Sequence, residues 1–490
     1  MNNRRMTLHV LGEILVAEAL LMLLPCLVDV IYREGMAKYY LVSAAISGAL
    51  GGLLLLIPIK DKRIYYRDGF SIVAIGWTLM GLAGALPFYL SGEMPSFIDA
   101  LFESVSGFTT TGASILSDVE ALSHASLFWR SFSHWIGGMG VLVFLMVLIP
   151  VAGGGGNLNL MRAESPGVEV EKLVPKSNHT ARILYGIYFA MTLLQFVLLL
   201  AGNMPVFDAV TITFGTAGTG GFSVLNSGLS SYSAYIQMVV AVFMVLFGIN
   251  FNLYFLLLCR RFRDAFKSEE LRAYLIILAS AVTIVSLDVY AYGFYDSILE
   301  SFHYGFFQVA SVMTTTGYAT ADFNLWPEVS HIIMLLVMCV GSCAGSTAGG
   351  LKVSRIIVAV KGVFVEIRRA LNPRRVSVVE YDDKRINDNV IRTTFAYIVI
   401  YILAIVLSLI VISFDRFDFT TNFSATIATI NNIGPGLGAV GPYGNFAAYG
   451  ILSKLVFIFN MLLGRLEIYP ILIVGYSIFR IKRVRKNGQI

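Results

Sequence analysis

From Ala273 to Leu351 the chain carries no lysine or arginine, and Asn203–Leu258 carries none either. Apolar runs of at least ~18 residues fill these stretches and recur along the chain, each long enough to cross a hydrocarbon core of ~30 Å. Charged residues make up 14% of the 490 residues and apolar ones 57%, whereas an ordinary soluble domain is about 25% charged. That much apolar surface has no place in water. A single soluble domain is excluded, and a membrane protein with several spans is expected.

The positive charges lie at Lys60–Arg67, Arg162–Arg182, Arg260–Arg272, Lys361–Arg375 and Arg480–Lys486. The positive-inside rule places these stretches, and both termini, in the cytoplasm. Each cluster adjoins a span, so no nucleic-acid partner is expected. Arg4 and Arg5 precede an apolar run, but Glu13, Glu18 and Asp29 interrupt it; it reads as a retained helix and not a leader. Cys26, Cys259, Cys339 and Cys343 sit in or beside apolar segments without a His or carboxylate cluster, which suits small buried residues.

Two spans come first, about Thr7–Ile31 and Met36–Ile59. A different unit then occurs four times: a first span, a short amphipathic segment, a Thr/Gly-rich turn and a second span. The first spans are expected at Phe70–Leu90, Ile183–Ala201, Tyr274–Tyr292 and Val390–Ile412, and the second at Leu127–Ile149, Tyr235–Leu258, His331–Val365 and Ala447–Phe479. Ten spans result. The fold class expected is an all-α polytopic membrane protein: an N-terminal two-helix hairpin (1–60) plus four helix–pore-loop–helix repeats (61–165, 166–265, 266–375 and 376–490) around a central pore.

The turns read FTTTGA at Phe108–Ala113, AGTGGF at Ala217–Phe222, TTTGY at Thr314–Tyr318 and NNIGPG at Asn431–Gly436. With Gly112, Gly220, Gly317 and Gly434 taken as equivalent, the separations are 108, 97 and 117 residues by subtraction. Such turns suit a cation. Rings of backbone carbonyls can replace an ion's hydration shell without a full charge that would trap it. Glycine lets successive carbonyls aim one way, and threonine hydroxyls can tie the turn to its surroundings. Asp99, Asp208, Asp296 and Asp418 lie near the starts of the preceding segments, where a carboxylate favours the helix dipole. Glu93, Glu103, Asp118, Glu120, Asp322 and Glu328 are expected on the outer side, as a mild field favouring cations or simply a solvated face.

At these residues, together with GSCAGSTAGGLKVSR at Gly341–Arg355 and NMLLGRLEIYP at Asn460–Pro470, the sequence resembles the TrkH/KtrB family of bacterial potassium uptake proteins, related to plant HKT transporters. The N-terminal hairpin resembles the TrkH branch. The resemblance implies a K⁺ selectivity filter at Thr110, Thr111, Gly112, Ala113; Gly218, Thr219, Gly220, Gly221; Thr315, Thr316, Gly317, Tyr318; and Asn432, Ile433, Gly434, Pro435. The ion would be met mainly at Thr110, Thr111, Gly218, Thr219, Thr315, Thr316, Asn432 and Ile433. Gly112 in the first repeat favours K⁺ over Na⁺ on the family's pattern. A homodimer in the cytoplasmic (inner) membrane is also implied, each chain with its own pore, seated on a cytoplasmic nucleotide-binding ring of the TrkA type. Membrane lipid is a further partner, since anionic headgroups would suit the basic stretches.

The stretch His331–Val365 exceeds one crossing and contains ten residues, Gly341–Gly350, without a bulky side chain. Close helix packing would use such a run, but the surplus length favours a broken helix. By resemblance, Gly341, Gly345, Ser346, Thr347, Gly349 and Gly350 form an intramembrane gating loop, with Arg465 projecting into the pore beside it. A central arginine costs at least ~2.5–3.5 kcal/mol to insert, so it must face a cavity or a partner. Glu467 is a poor partner, being only two residues away, while Lys454 and Lys352 should snorkel or pair locally. K⁺ is the transported ion and no organic cofactor is expected. No nucleophile–base or metal constellation suggests an enzyme. The alternative to a channel-like pore is coupled K⁺–H⁺ or K⁺–Na⁺ symport on the same fold, which asks for a titratable pair near the site.

Overall fold

The computed structural model of the chain describes residues 3–59, 61, 63–140, 177–372, 378–468 and 470–473. The distal parts of the expected spans Leu127–Ile149 and Ala447–Phe479, most of Arg162–Arg182 and all of Arg480–Lys486 lie outside them. Helices dominate: α1 (Arg4–Leu21), α2 (Leu23–Tyr32), α3 (Ala37–Leu55), α4 (Tyr66–Ser91), α5 (Phe97–Phe108), α6 (His124–Gly138), α7 (Ser177–Ala201), α8 (Val206–Gly218) and α9 (Ala234–Phe247). Then follow α10 (Phe251–Leu258), α11 (Phe262–Lys267), α12 (Glu269–Ala291), α13 (Ile298–Met313), α14 (Glu328–Val340), α15 (Val353–Leu371), α16 (Asp388–Ile412), α17 (Phe419–Ile430) and α18 (Ile451–Arg465). Among the described residues the strands are the two-residue pair β1 (Glu380–Tyr381) and β2 (Lys384–Arg385), which are antiparallel.

Among the described residues, six helical stretches are long and apolar enough to cross a membrane: α1 continued into α2, then α3, α4, α7, α12 and α16. They match the expected hairpin and first spans to within a few residues. In the hairpin, α1 and α3 touch backbone to backbone at Gly12 and Gly51, where a Cβ on either would sit 2.8 Å from the other's carbonyl oxygen. The first helices differ in placement. The apolar window of α4 is 67% buried and that of α16 only 22%, so α4 lies within the bundle while α16 turns Leu403, Leu407 and Ile410 outward. In a bilayer those side chains face lipid.

The short helices α5, α13 and α17 begin at side-chain caps: Ser96 accepts from the Asp99 N–H, Ser297 from Glu300, and Asp418 from Thr421. Each lies between a first and a second helix.

The second helices differ from expectation. Sequence reasoning broke only the third, yet α6 stops at Gly138, α9 at Phe247 with a 91° bend into α10, α14 at Val340 and α18 at Arg465. Carbonyls released by these breaks find buried partners. Gly138 O accepts from Arg465, and Gly248 O accepts from the Cys343 N–H. Leaving the helix is tolerable at this depth because protein, and not lipid, satisfies the backbone. The breaks lie around one centre.

Candidate functional site

The four short helices end in one conformation. After α5 the N–H groups of Thr110 and Thr111 bond back to Gly107 O and Ser106 O; after α13 those of Thr315 and Thr316 bond to Val312 O and Ser311 O. Thr219 and Gly220 do the same with Thr216 O and Gly215 O, and Asn432 and Ile433 with Thr429 O and Ala428 O. Thr110, Thr219, Thr315 and Asn432 all have φ = 55°, the left-handed region, and two residues later Gly112, Gly221, Gly317 and Gly434 have φ of 75°, 73°, 86° and 96°. A β-branched residue at positive φ costs on the order of 1–3 kcal/mol and persists only where its surroundings over-determine it.

The pattern corrects one expectation. Gly221, and not Gly220, matches Gly112, so the second stretch runs from Thr219 to Phe222 and Gly218 belongs to the end of α8. The separations become 221 − 112 = 109 and 317 − 221 = 96. Three glycines in four residues leave the register open in sequence; backbone hydrogen bonds decide it. Gly220 is small for another reason, since a Cβ there would overlap the His134 ring.

The turns close on one another. A Cβ on Gly112 would overlap the carbonyl oxygen of Gly220, one on Gly221 that of Thr316, and one on Gly317 that of Ile433. On Gly434 it would lie 2.9 Å from Thr111 O. The four carbonyls stand at equivalent positions, each against the glycine of the neighbouring turn, and the order returns to its start. It is a ring. The helix C-termini, carrying partial negative charge, lead directly into it.

Hydroxyls brace two of the turns. Thr109 and Thr111 share a 2.7 Å hydrogen bond, Thr314 and Thr316 one of 2.8 Å, and the Ser106 and Ser311 hydroxyls donate to Ala113 O and Tyr318 O at 2.6 Å. The fourth turn uses amides: Asn431 donates to Ile427 O at 3.0 Å, and Asn432 to Thr111 Oγ1 at 3.0 Å and Met461 O at 2.9 Å. Asn432 therefore ties it to the first turn, and Asn431 anchors it to its own helix. The second turn has Gly218 and Gly220 where paired threonines would stand, and the Tyr318 hydroxyl reaches it, within 3.4 Å of Phe222 O and 3.1 Å of Ile212 O in the preceding helix.

At one mouth of the ring is a cavity of 150 Å³ lined by Gly112, Gly221, Gly317, Gly434 and Arg130. Asp118 and Glu120 are exposed and accept from Asn226; that hydrogen bond holds the Asp118 carboxyl below its ordinary range. Glu103 corrects its expected place on the outer face: it is fully buried against Arg130 at 2.6 Å. Among the helix-start acids, Asp99 pairs with Lys454 at 2.7 Å and Asp208 accepts from the Tyr232 hydroxyl at 2.8 Å, whereas Asp296 precedes the Ser297 cap.

At the other mouth, residues 341–352 leave the helix between α14 and α15, as surplus length predicted. Gly341, Gly345 and Gly350 have φ of 70°, 71° and 79°, backbone that a run of small residues permits. Gly349 N–H donates to Thr315 Oγ1 at 2.7 Å and the Ser346 hydroxyl to Cys343 O at 2.6 Å. Arg465 donates to Thr347 O at 2.8 Å, Gly138 O at 2.7 Å, Thr110 Oγ1 at 3.3 Å and Gly137 O. It thus joins loop, first turn and α6. Glu467 pairs instead with Arg355. Lys454 does not pair locally, since Asp99 lies 355 residues away in sequence, while Lys352 is buried and donates to Ala348 O. Sequence reasoning missed Glu270, which accepts from Ala344 N–H at 2.6 Å and Ser354 N–H at 3.2 Å. In the first turn of α12 beside Glu269 it looks like any dipole-favouring acid.

Residues 42–480 match the family described as TrkH, cation transport protein. The Trk system potassium uptake protein TrkH of Salmonella typhimurium is 35% identical over 472 residues, covering 95% of this chain and 97% of that one. The Trk system potassium uptake protein TrkG of Escherichia coli K12 is 33% identical over 480 residues, covering 97% and 98%. The crystal structure of the potassium transporter TrkH from Vibrio parahaemolyticus superposes with a TM-score of 0.87 at 31% identity, covering 96% of this chain and 98% of that one.

Proposed function

The chain belongs to the TrkH family of cation transport proteins, and from that premise we propose that it takes up potassium through a K⁺-selective, channel-like pore. The observation that carries this reading is the cyclic contact of equivalent carbonyls, Thr111, Gly220, Thr316 and Ile433, against four glycines. Four fixed dipoles converging on one axis can stand in for the water around a potassium ion without binding it too tightly to leave. The filter would be Thr110–Ala113, Thr219–Phe222, Thr315–Tyr318 and Asn432–Pro435, one from each of four repeats.

Positive-inside charge puts the termini in the cytoplasm, so the cavity beside Gly112 is the outer mouth. The membrane potential then drives entry, supplying ~2.3 kcal/mol per elementary charge per 100 mV. Residues 341–352 and Arg465 form the gate on the inner side. The loop's hydrogen bonds to Thr315 and Arg465 support that role, because they bring bulk and a positive charge under the ring. A homodimer on a cytoplasmic nucleotide-binding ring is the assembly in which this pore would work.

Proteoliposomes holding the purified protein test the reading. K⁺ uptake against a K⁺ or Na⁺ gradient should track the K⁺ equilibrium potential alone. A reversal potential that shifts with pH or Na⁺ gradient would make the protein a coupled symporter, and wild-type vesicles without K⁺ flux would end the proposal.

A further inference from the structure

The second turn lacks the internal hydroxyl brace of the first and third. Gly218 and Gly220 take the places of the threonine pairs Thr109/Thr111 and Thr314/Thr316, so it has no hydroxyl pair of its own. Its exit is held from outside by Arg130 of α6. The Arg130 guanidinium lies 4.0 Å from the centre of the Phe222 ring and donates to Ser223 O at 3.4 Å. The same guanidinium donates to Glu103 of α5 at 2.8 Å through Nε and to Ser114 Oγ at 3.4 Å. Glu103 in turn accepts from the Ser114 hydroxyl at 2.9 Å and from the Ile115 N–H at 3.1 Å. One buried ion pair, with side chains 2% and 0% exposed, thus clamps the exits of turns one and two together.

This arrangement occurs once. The residues at Glu103's position in the other repeats are Ile212, Gln308 and Ala425. Gln308 bonds only within its own repeat, to Ala321 O at 3.1 Å and Thr320 Oγ1 at 3.4 Å. The other two are apolar. A charged pair so deeply buried is a poor way to gain stability but a strong way to fix a register, and Arg130 also borders the cavity at the ring's mouth.

We propose that Glu103 and Arg130 are specificity-determining positioning residues: their pair holds the second turn's carbonyls away from the axis, so that the ring fits K⁺ and cannot contract around Na⁺. This deepens the filter reading above and rests on it. The fork of the guanidinium is essential, since one group must reach Glu103, Ser114, Ser223 O and the Phe222 face together; a lysine keeps the charge and loses the fork.

The test measures two quantities on wild type, Glu103→Gln and Arg130→Lys. The first is the K⁺/Na⁺ uptake ratio in proteoliposomes. The second is the rise in melting temperature that K⁺, relative to Na⁺, gives the detergent-purified protein; it reads ion binding and not passage. Both variants should lower K⁺/Na⁺ discrimination at least about fivefold, as expected for losing one or two charge-assisted hydrogen bonds, while still passing Rb⁺. Wild-type discrimination in folded Arg130→Lys would overturn the clamp, as would lower flux at unchanged discrimination in both variants. If wild type carried no K⁺ at all, the transport reading would fail alone. The thermal measurement would still decide the clamp, supporting it if K⁺-specific stabilisation shrinks in both variants and overturning it otherwise.

Discussion

The ring and the loop beneath it lie in contact, yet they are held differently. The ring is braced by backbone on backbone: helix-end hydrogen bonds in every turn, carbonyls against glycines, and no room for one more carbon. The loop 341–352 is tied at separate points: Cys343 N–H donates to Gly248 O and Phe251 N–H to Gly345 O, and the side chains of Glu270, Thr315 and Arg465 hold the rest. Backbone packing offers no alternative arrangement of similar energy, so the ring is rigid. A segment held at separate points, by bonds worth about 1.5–3 kcal/mol where Glu270 or Arg465 takes part and about 1 kcal/mol elsewhere, can be released by small changes in free energy. On the proposed reading, the part that discriminates is closely packed and the part that moves is tied at separate points.

The sharpest way to break this comparison is to put a side chain into the ring. Gly112→Ala places a Cβ on Gly220 O at a residue with φ = 75°. Overlap and positive φ together cost more than ~3 kcal/mol, and Rb⁺ uptake by the purified protein should fall to background. A variant with wild-type uptake would mean that the ring yields as readily as the loop.

Next is Arg465→Ala, which removes the hydrogen bonds to Thr347 O, Gly138 O and Thr110 along with a positive charge. Flux should rise about tenfold, the change that ~1.4 kcal/mol of lost barrier gives. Unchanged or lower flux in a folded variant would remove the arginine from the gate.

Glu270→Gln keeps the shape of the side chain but weakens its hold on the N–H groups of Ala344 and Ser354. Losing about 1 kcal/mol there should raise flux severalfold and speed hydrogen exchange in 341–352, with the ring amides unchanged. Equal acceleration in both regions would erase the distinction between them.

The smallest effect is expected from Thr314→Val, which deletes the 2.8 Å hydroxyl bond to Thr316 inside an otherwise braced turn. A stability loss of about 1 kcal/mol, read as a lower midpoint in thermal unfolding, should leave uptake within about twofold of wild type.

Much of this architecture was legible because its chemistry is local. Threonine and glycine in an apolar context mark Phe108–Ala113 and Thr314–Tyr318 wherever the chain goes, and ten small residues at Gly341–Gly350 mark a break. What stayed hidden depends on partners far away in sequence. Three glycines at Gly218–Gly221 admit two registers until backbone hydrogen bonds are counted. The breaks after α9 and α18 lack a small-residue run: the first is satisfied by Cys343 N–H and Gly345 O of the distant loop, the second by its own turn, in which Glu467 N–H bonds to Gly464 O and Ile468 N–H to Leu463 O. Glu103 reads as one more outward acid until α6 brings Arg130 against it, and Lys454 finds Asp99 only through the fold.

The ring has four parts, but the gate proposed under it is a single loop, Gly341–Lys352, met by a single arginine, Arg465. Channels assembled from identical subunits must swing several copies of the same door together. With one such gate per pore, each conducting event should begin and end in a single step, without a staircase of partial currents.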